Sequence, residues 1–272
     1  MCDTCGCNVT ESNRHLIEED GKHAHTQDGS NAVEVLENLL SENDRQAAHN
    51  RHHFDSHGVL TINLMSSPGS GKTSLLEATV QALGGEYRIG VIEGDLETEN
   101  DAERLRRLGI EAVQITTGTA CHLDAHMVHN ALHDLNLSRF DILFIENVGN
   151  LVCPASFDLG QHLNVALLSV TEGDDKPAKY PVLFRTADNI VISKADLLRY
   201  LDDFSPERAE TAIRNLATEV PIITLSAKSG SGLDEWLDWL HSEANKQLER
   251  VVLGETLTPK IQLEGAKLHS HN

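Results

Sequence analysis

Aromatic residues are scarce in this chain: they are 4% of its 272 residues, against 40% for hydrophobic residues as a whole. A buried core is expected, and it must be packed with Val, Ile and Leu. Basic residues are also few. Lys and Arg number 22 against 42 Asp and Glu, giving a formal charge of −20. Nucleic acid selects basic patches, so this balance argues against a nucleic-acid partner. An acidic surface suits solubility and the capture of cations. No run of about 20 apolar residues occurs, so no membrane-spanning helix is expected. The N-terminus lacks the basic and then apolar run of a secretory signal, and the expected location is the cytoplasm. Cysteines number five, an odd count. Without an export signal they read as reduced thiols available for metal or redox chemistry, not as a disulfide framework.

The length allows one large domain, or one domain with appendages. Residues 1–57 are polar and rich in His, Asn, Asp and Glu. Within them AVEVLENLLSEND (32–44) has a helical period, with Val33, Leu36, Leu39 and Leu40 on one face. The rest of this region, ending HNRHHFDSHG (49–58), reads as a mobile tail and linker. From Val59 the pattern changes. Apolar runs at 59–67, 88–95, 112–117, 141–148, 165–173, 189–196 and 221–227 read as strands. Most are continuous rather than alternating, as strands buried on both faces should be. Helical patterns occupy 72–83, 99–107, 124–135, 206–217 and 233–250, the last with Trp236 and Trp239 as core and docking surface. Strands alternating with helices predict an α/β fold, a mainly parallel sheet with helices on both faces. The predicted domain spans 58–252, between the 1–57 extension and an irregular 253–272 tail.

SSPGSGKT (66–73) follows the first predicted strand and opens a helix. That is the context of a phosphate-binding loop. The amides of Pro68-Gly69-Ser70-Gly71-Lys72-Thr73-Ser74 surround the phosphates, except at proline, which has no N–H. Lys72 supplies a point charge, Thr73 a hydroxyl for Mg²⁺, and the helix N-terminus its positive end. Ser66 stands where the pattern asks for glycine, and serine accepts a tight turn less freely. EGD (93–95), ENVG (146–149), SKAD (193–196) and SAK (226–228) each end a predicted strand, where ligands of open α/β sheets gather. Asp95 and Glu146 are candidates for organising Mg²⁺ and water, and the Gly149 amide for sensing a γ-phosphate. Asp196, between Lys194 and the Ser226-Ala227-Lys228 stretch, can accept two hydrogen bonds from guanine. Adenine offers no such donor pair, and an unpaired buried carboxylate costs a few kcal/mol, about enough for strong base selection.

SSPGSGKT, EGDLETENDAERL, TGTACHLDA, ENVGNLVCP, EGDDKPAKYP, SKADL and SAKSGSGLDEW together make the chain resemble the nickel-incorporation GTPases of hydrogenase maturation (HypB-type). The resemblance covers essentially all of 59–252 and returns at the extreme N-terminus. It implies a three-layer P-loop NTPase fold, preceded by a partly disordered metal-binding extension. It further implies slow Mg²⁺-dependent GTP hydrolysis, a homodimer promoted by GTP, and nickel delivery toward the precursor of a [NiFe]-hydrogenase large subunit. A small nickel chaperone of the same pathway is the implied partner. Ser193 departs from the usual Asn of such GTPases and offers fewer hydrogen-bonding groups to the base.

Two groups of residues suit metals. Cys2, Cys5 and Cys7 lack the second Cys pair of a zinc ribbon and the adjacent His of a c-type haem site. Three soft thiolates suit a transition metal, with a fourth ligand from elsewhere. They resemble the CxxCGC motif of some family members, which implies tight nickel binding. Cys121 and His122 precede a predicted helix whose N-terminus favours thiolate. Cys153 follows Gly149 by four residues. Two thiolates and an imidazole suit Zn²⁺ or Ni²⁺, although the residues alone fit two small buried thiols and a capping histidine equally well. The resemblance assigns the three to a metal site at the dimer interface. A ligand beside the phosphate-sensing turn would couple metal and nucleotide affinity reciprocally. His23, His25, His49, His52, His53 and His57 read as a solvated linker, and His126, His129 and His133 as a polar helix face, each with auxiliary metal binding as the alternative. Lys176 and Lys179 are candidates for contacts to nucleotide or a second subunit. A nickel buffer, a urease-maturation GTPase and a kinase of the same class remain open as alternatives.

Overall fold

The computed structural model describes residues 30–95, 100–118, 120–216 and 218–261, without the side chains of 30–39. The predicted thiol site of Cys2, Cys5 and Cys7, with residues 1–29 of the expected 1–57 extension, lies outside the described residues.

Seven strands form one sheet: β1 (Leu60–Ser66), β2 (Ile89–Asp95), β3 (Glu111–Thr116), β4 (Ile142–Glu146), β5 (Leu163–Ser169), β6 (Asn189–Ser193) and β7 (Ile222–Thr224). Their order is β3-β2-β4-β1-β5-β6-β7, and every pairing is parallel. All seven residues of β1 are buried, as a central strand covered on both faces requires. Leu60, Ile62 and Leu64 face the layer of α2 (Lys72–Leu83), α3 (Asn100–Arg107) and the long α8 (Leu233–Leu253). Trp236 of α8 is fully buried there and donates to Thr79 Oγ1 at 2.9 Å; Trp239 stacks on it. The opposite layer holds α4 (Ala125–Leu132), α6 (Pro181–Thr186) and α7 (Pro206–Arg214), with a four-residue α5 (Lys176–Lys179) between β5 and α6.

The expectation of a mobile linker over 49–58 is corrected by α1, a single helix over Ser30–Ser56. Among its described side chains, from Leu40 on, the buried ones are Asn43, Ala47, Asn50, Arg51 and Phe54, a helical spacing. Three of the five are polar, so apolar periodicity does not reveal them. Each polar residue has partners on the domain. Asn43 accepts from Ala125 N at 2.9 Å and donates to Asp158 O at 2.8 Å. Asn50 donates to Ala125 O at 2.8 Å and Leu159 O at 3.1 Å. The guanidinium of Arg51 meets both carboxylate oxygens of Asp158 at 2.6 Å. The backbone of Gly160 lies so close that a Cβ there would stand 2.6 Å from Asn50 Cβ.

Candidate nucleotide and metal sites

The phosphate loop runs from the end of β1 into α2. Gly69 (φ 71°) and Gly71 (φ 99°) take its left-handed turns. Ser66 is the last residue of β1 and is not among the described residues with positive φ, so the expected strain at this position is absent. Its hydroxyl instead accepts from Lys72 Nζ at 3.0 Å and from Ser70 Oγ, which holds the buried lysine against the loop.

A cleft of about 330 Å³ opens beside the loop. It brings together Ser70, Gly71 and Ser74 with Lys194, Asp196, Ser226, Ala227 and Lys228, all of them predicted from the sequence. Ser226 Oγ donates to Asp196 Oδ1 at 2.6 Å and so orients the carboxylate. Lys194 has φ 60° and donates from Nζ to Gly69 O. Ser193 Oγ donates to Ser70 O at 2.7 Å, so the residue that replaces the usual Asn ties β6 to the phosphate loop.

Pro68 and Gly149 meet on the other side of the loop. A Cβ at Gly149 would lie 2.7 Å from Pro68 Cα, a contact that only glycine permits without movement. Below them Thr73 Oγ1 donates to Glu146 Oε1 at 2.8 Å. Burial pushes Glu146 up to about 7 against the pull of Lys72 and Thr73. Glu93, its neighbour across the β2–β4 register, is pushed up to about 8 by burial, with Glu146 and Asp95 adding to the effect. Each of these two carboxyls has one buried oxygen without a protein partner among the described residues. Clustered hard oxygens beside a phosphate-loop threonine are the donor set that Mg²⁺ takes, and Thr73, Glu93, Asp95 and Glu146 fit it. Glu93 was not singled out in the sequence. Its signal was the i, i+2 spacing with Asp95, which puts both on one face of a strand.

Cys121, His122 and Cys153 converge within one chain, their ligand atoms all within 4.8 Å of one another. The two sulfurs are 3.2 Å apart, and Cys121 Sγ is 3.8 Å from His122 Nδ1. Both thiols are half-buried. His122 is fully buried and stacks on Phe157 at 4.0 Å between ring centres. Burial pulls its pKa down to about 4, so the imidazole is neutral, and its Nε2 has no protein partner among the described residues. Asp124 caps α4 by accepting from Met127 N at 2.8 Å. Cys121 and His122 therefore sit in the loop ahead of the helix. Two asparagines flank Gly149 and fasten that loop. Asn147 Oδ1 accepts from Leu123 N at 3.2 Å, and Asn150 Nδ2 donates to Cys121 O at 3.2 Å. Cys153 opens a short 3₁₀ turn, Cys153–Ser156. Two sulfurs and a neutral imidazole suit borderline divalent cations. Lys179 pairs with Asp175, and Lys176 lies 5.3 Å over the Tyr180 ring. Neither lysine lines the cleft beside the loop.

A phosphate loop, a base-sized cleft and paired carboxyls at the carboxyl ends of a parallel sheet define a P-loop nucleotide-binding protein. The model of the CobW/HypB/UreG nucleotide-binding domain family matches residues 60–224. The chain is 49% identical over 226 residues to the hydrogenase maturation factor HypB of Azotobacter vinelandii, covering 83% of this chain and 74% of that protein. It is 44% identical over 212 residues to the hydrogenase/urease maturation factor HypB of Helicobacter pylori, covering 76% and 86%. The crystal structure of Helicobacter pylori HypB in complex with nickel superposes with a TM-score of 0.71 at 42% identity, over 81% of this chain and all of that one. That of HypB from Archaeoglobus fulgidus gives 0.71 at 43%, over 75% of this chain and all of that one. The chain belongs to the HypB family of hydrogenase maturation factors. Among the described residues no helix is long and apolar enough to cross a membrane.

Proposed function

We propose that this protein is a GTP-hydrolysing metallochaperone whose cargo is nickel, bound by Cys121, His122 and Cys153. The observation that carries the reading is the fastening of these ligands to the phosphate-facing segment. Gly149 abuts Pro68, Cys153 follows four residues later, and Asn150 holds the Cys121 backbone. The cleft takes the guanine base, which Asp196 selects, while Lys72 and the loop amides hold the phosphates. Thr73, Glu93, Asp95 and Glu146 would hold Mg²⁺, which neutralises charge on the β- and γ-phosphates when bound. Water then displaces GDP from the γ-phosphate. Turnover is slow, and the cycle is governed by switching between nucleotide states rather than by rapid chemistry.

A change at Gly149 on loss of the γ-phosphate is transmitted to the metal ligands, so nucleotide and metal affinities are linked. Zn²⁺ competes for the same donors. Three ligands from one chain leave a position for a second copy, which supports a homodimer promoted by GTP. Nickel then passes toward the precursor of a hydrogenase large subunit, with a small nickel chaperone as donor or acceptor. Cys2, Cys5 and Cys7 form a separate and tighter nickel site. The joint hydrogenase and urease role named for the Helicobacter pylori relative favours, as a second reading, a broader set of nickel-enzyme clients.

The test is a nickel titration with and without a non-hydrolysable GTP analogue, on wild type and on Cys153→Ala. Nucleotide should change nickel affinity in the wild type and leave the variant's residual binding unchanged. Equal wild-type affinity in both nucleotide states would refute the linkage.

A further inference from the structure

The sequence offered two sets of histidines some 70 residues apart, one in 49–57 and one in 126–133. The docking of α1 on α4 brings them into one seam. His49 and His53 stand at i, i+4 on α1, with Nε2 atoms 3.0 Å apart. The ring of His129, from α4, lies 5.2 Å from that of His49 and 6.2 Å from that of His53. His133 continues the row 5.1 Å from His129. A cleft of about 340 Å³ lies alongside, lined by His53, His57, His129 and His133.

We propose that His49, His53 and His129 form a further transition-metal site, bridging α1 and α4, with His133 positioned as a fourth donor. It takes a divalent first-row cation that favours imidazole nitrogen, such as Ni²⁺ or Zn²⁺. It shares no residue with the Cys121 site and does not depend on the nucleotide reading.

Three observations carry the proposal. The first is the spacing of the helical pair. Ligand nitrogens roughly 2.0–2.1 Å from a metal, at square or tetrahedral angles, lie about 2.9–3.4 Å from each other. The His49 and His53 nitrogens already have that separation. A hydrogen bond between two neutral rings produces it as well, so the pair alone does not decide.

The second is the state of His129. Both N–H groups of the Asn50 amide are committed, to Ala125 O and Leu159 O. Its Oδ1 must therefore be the atom 3.2 Å from His129 Nδ1. A carboxamide oxygen only accepts, so Nδ1 carries the proton and Nε2 keeps its lone pair. This is the outer-shell bond that metal-ligating histidines make. Asn50 is fully buried and fixed, so the donor is prepared by the fold and not by chance at a surface.

The third is accessibility. His49 is exposed and His53 and His129 are half-buried, so a cation can enter and the rings can turn the last distance toward it.

The test is titration of the full chain with Ni²⁺, and separately Zn²⁺, against a chromophoric chelator. His49→Gln/His53→Gln should bind about one equivalent less than wild type, at unchanged far-UV circular dichroism. Undiminished stoichiometry would overturn the site. His129→Gln alone should weaken that equivalent about tenfold or more, on the scale of losing a metal-supporting group. An unchanged affinity would overturn the bridge between the helices. X-ray absorption on the chain with all five cysteines changed to Ser should show imidazole scattering around one bound Ni²⁺, lost in the His49→Gln/His53→Gln background. Oxygen-only coordination before those changes would also overturn it.

Discussion

Glu146→Gln should stabilise the nucleotide-free protein at pH 8, although it alters the nucleotide site. The Glu146 carboxyl is buried, and its pKa rises from 4.5 to about 7. A carboxyl raised in the folded state favours folding while protonated. That advantage is present at acid pH and is lost as the pH climbs from 4.5 through about 7. At ~1.4 kcal/mol per tenfold in proton affinity, the loss is about 3 kcal/mol. Gln keeps the shape of the side chain, and its carbonyl oxygen can still accept from Thr73. The charge also weighs on Glu93, so its removal eases that carboxyl as well. The variant should gain roughly 3 kcal/mol at pH 8 and under ~1 kcal/mol at pH 5. For a protein of this size that is about 6–12 °C in Tm at pH 8. The assay is thermal and urea denaturation of metal-free, nucleotide-free protein at both pH values. Titrating groups other than Glu93, His122 among them, are common to the two proteins and cancel in the difference. Adding Mg²⁺ and GTP should reverse the ranking, since only wild type keeps the carboxylate. A variant no more stable than wild type at pH 8, or one with the same gain at both pH values, would refute the reasoning.

Gly149→Ala should weaken binding of a fluorescent GTP analogue about 5- to 150-fold, because its Cβ would press on the Pro68 backbone at 2.7 Å and overpacking costs about 1–3 kcal/mol. Unchanged affinity would mean that the loop yields freely. Arg51→Ala leaves the largely buried Asp158 carboxylate, its side chain 13% exposed, without its guanidinium and should cost about 3 kcal/mol in urea denaturation, the low end for a buried pair. Arg51→Met combined with Asp158→Leu should recover most of that loss; no recovery would show that the ion pair and its hydrogen bonds to Gln161 O and Gly160 N are themselves net stabilising.

The candidate nucleotide site was legible because its parts are punctuation. A glycine-rich turn after an apolar run, and short polar stretches at the ends of other runs, mark the carboxyl edge of a parallel sheet whatever the strand order. The order itself, with β4 inserted between β1 and β2, was not legible, since continuous apolar runs do not name their neighbours. The helix over 49–56 was missed for a different reason. Its inward face is Asn50, Arg51 and Phe54, and two polar residues that find partners in another element look like solvent-exposed ones until that element is seen. The histidine seam was hidden by the same omission. Glu93 was in view but passed over, because its burial depends on Glu146 lying across from it.

The two asparagine bonds on either side of Gly149 have a consequence for how a cargo ion would leave. They make the loop bearing Cys121 and the turn bearing Cys153 a single tray, not a pair of jaws. A push from the phosphate side would tilt the tray and carry both sulfurs with it, their spacing kept. Unloading would then depend on which outside donor the tilted tray is turned toward.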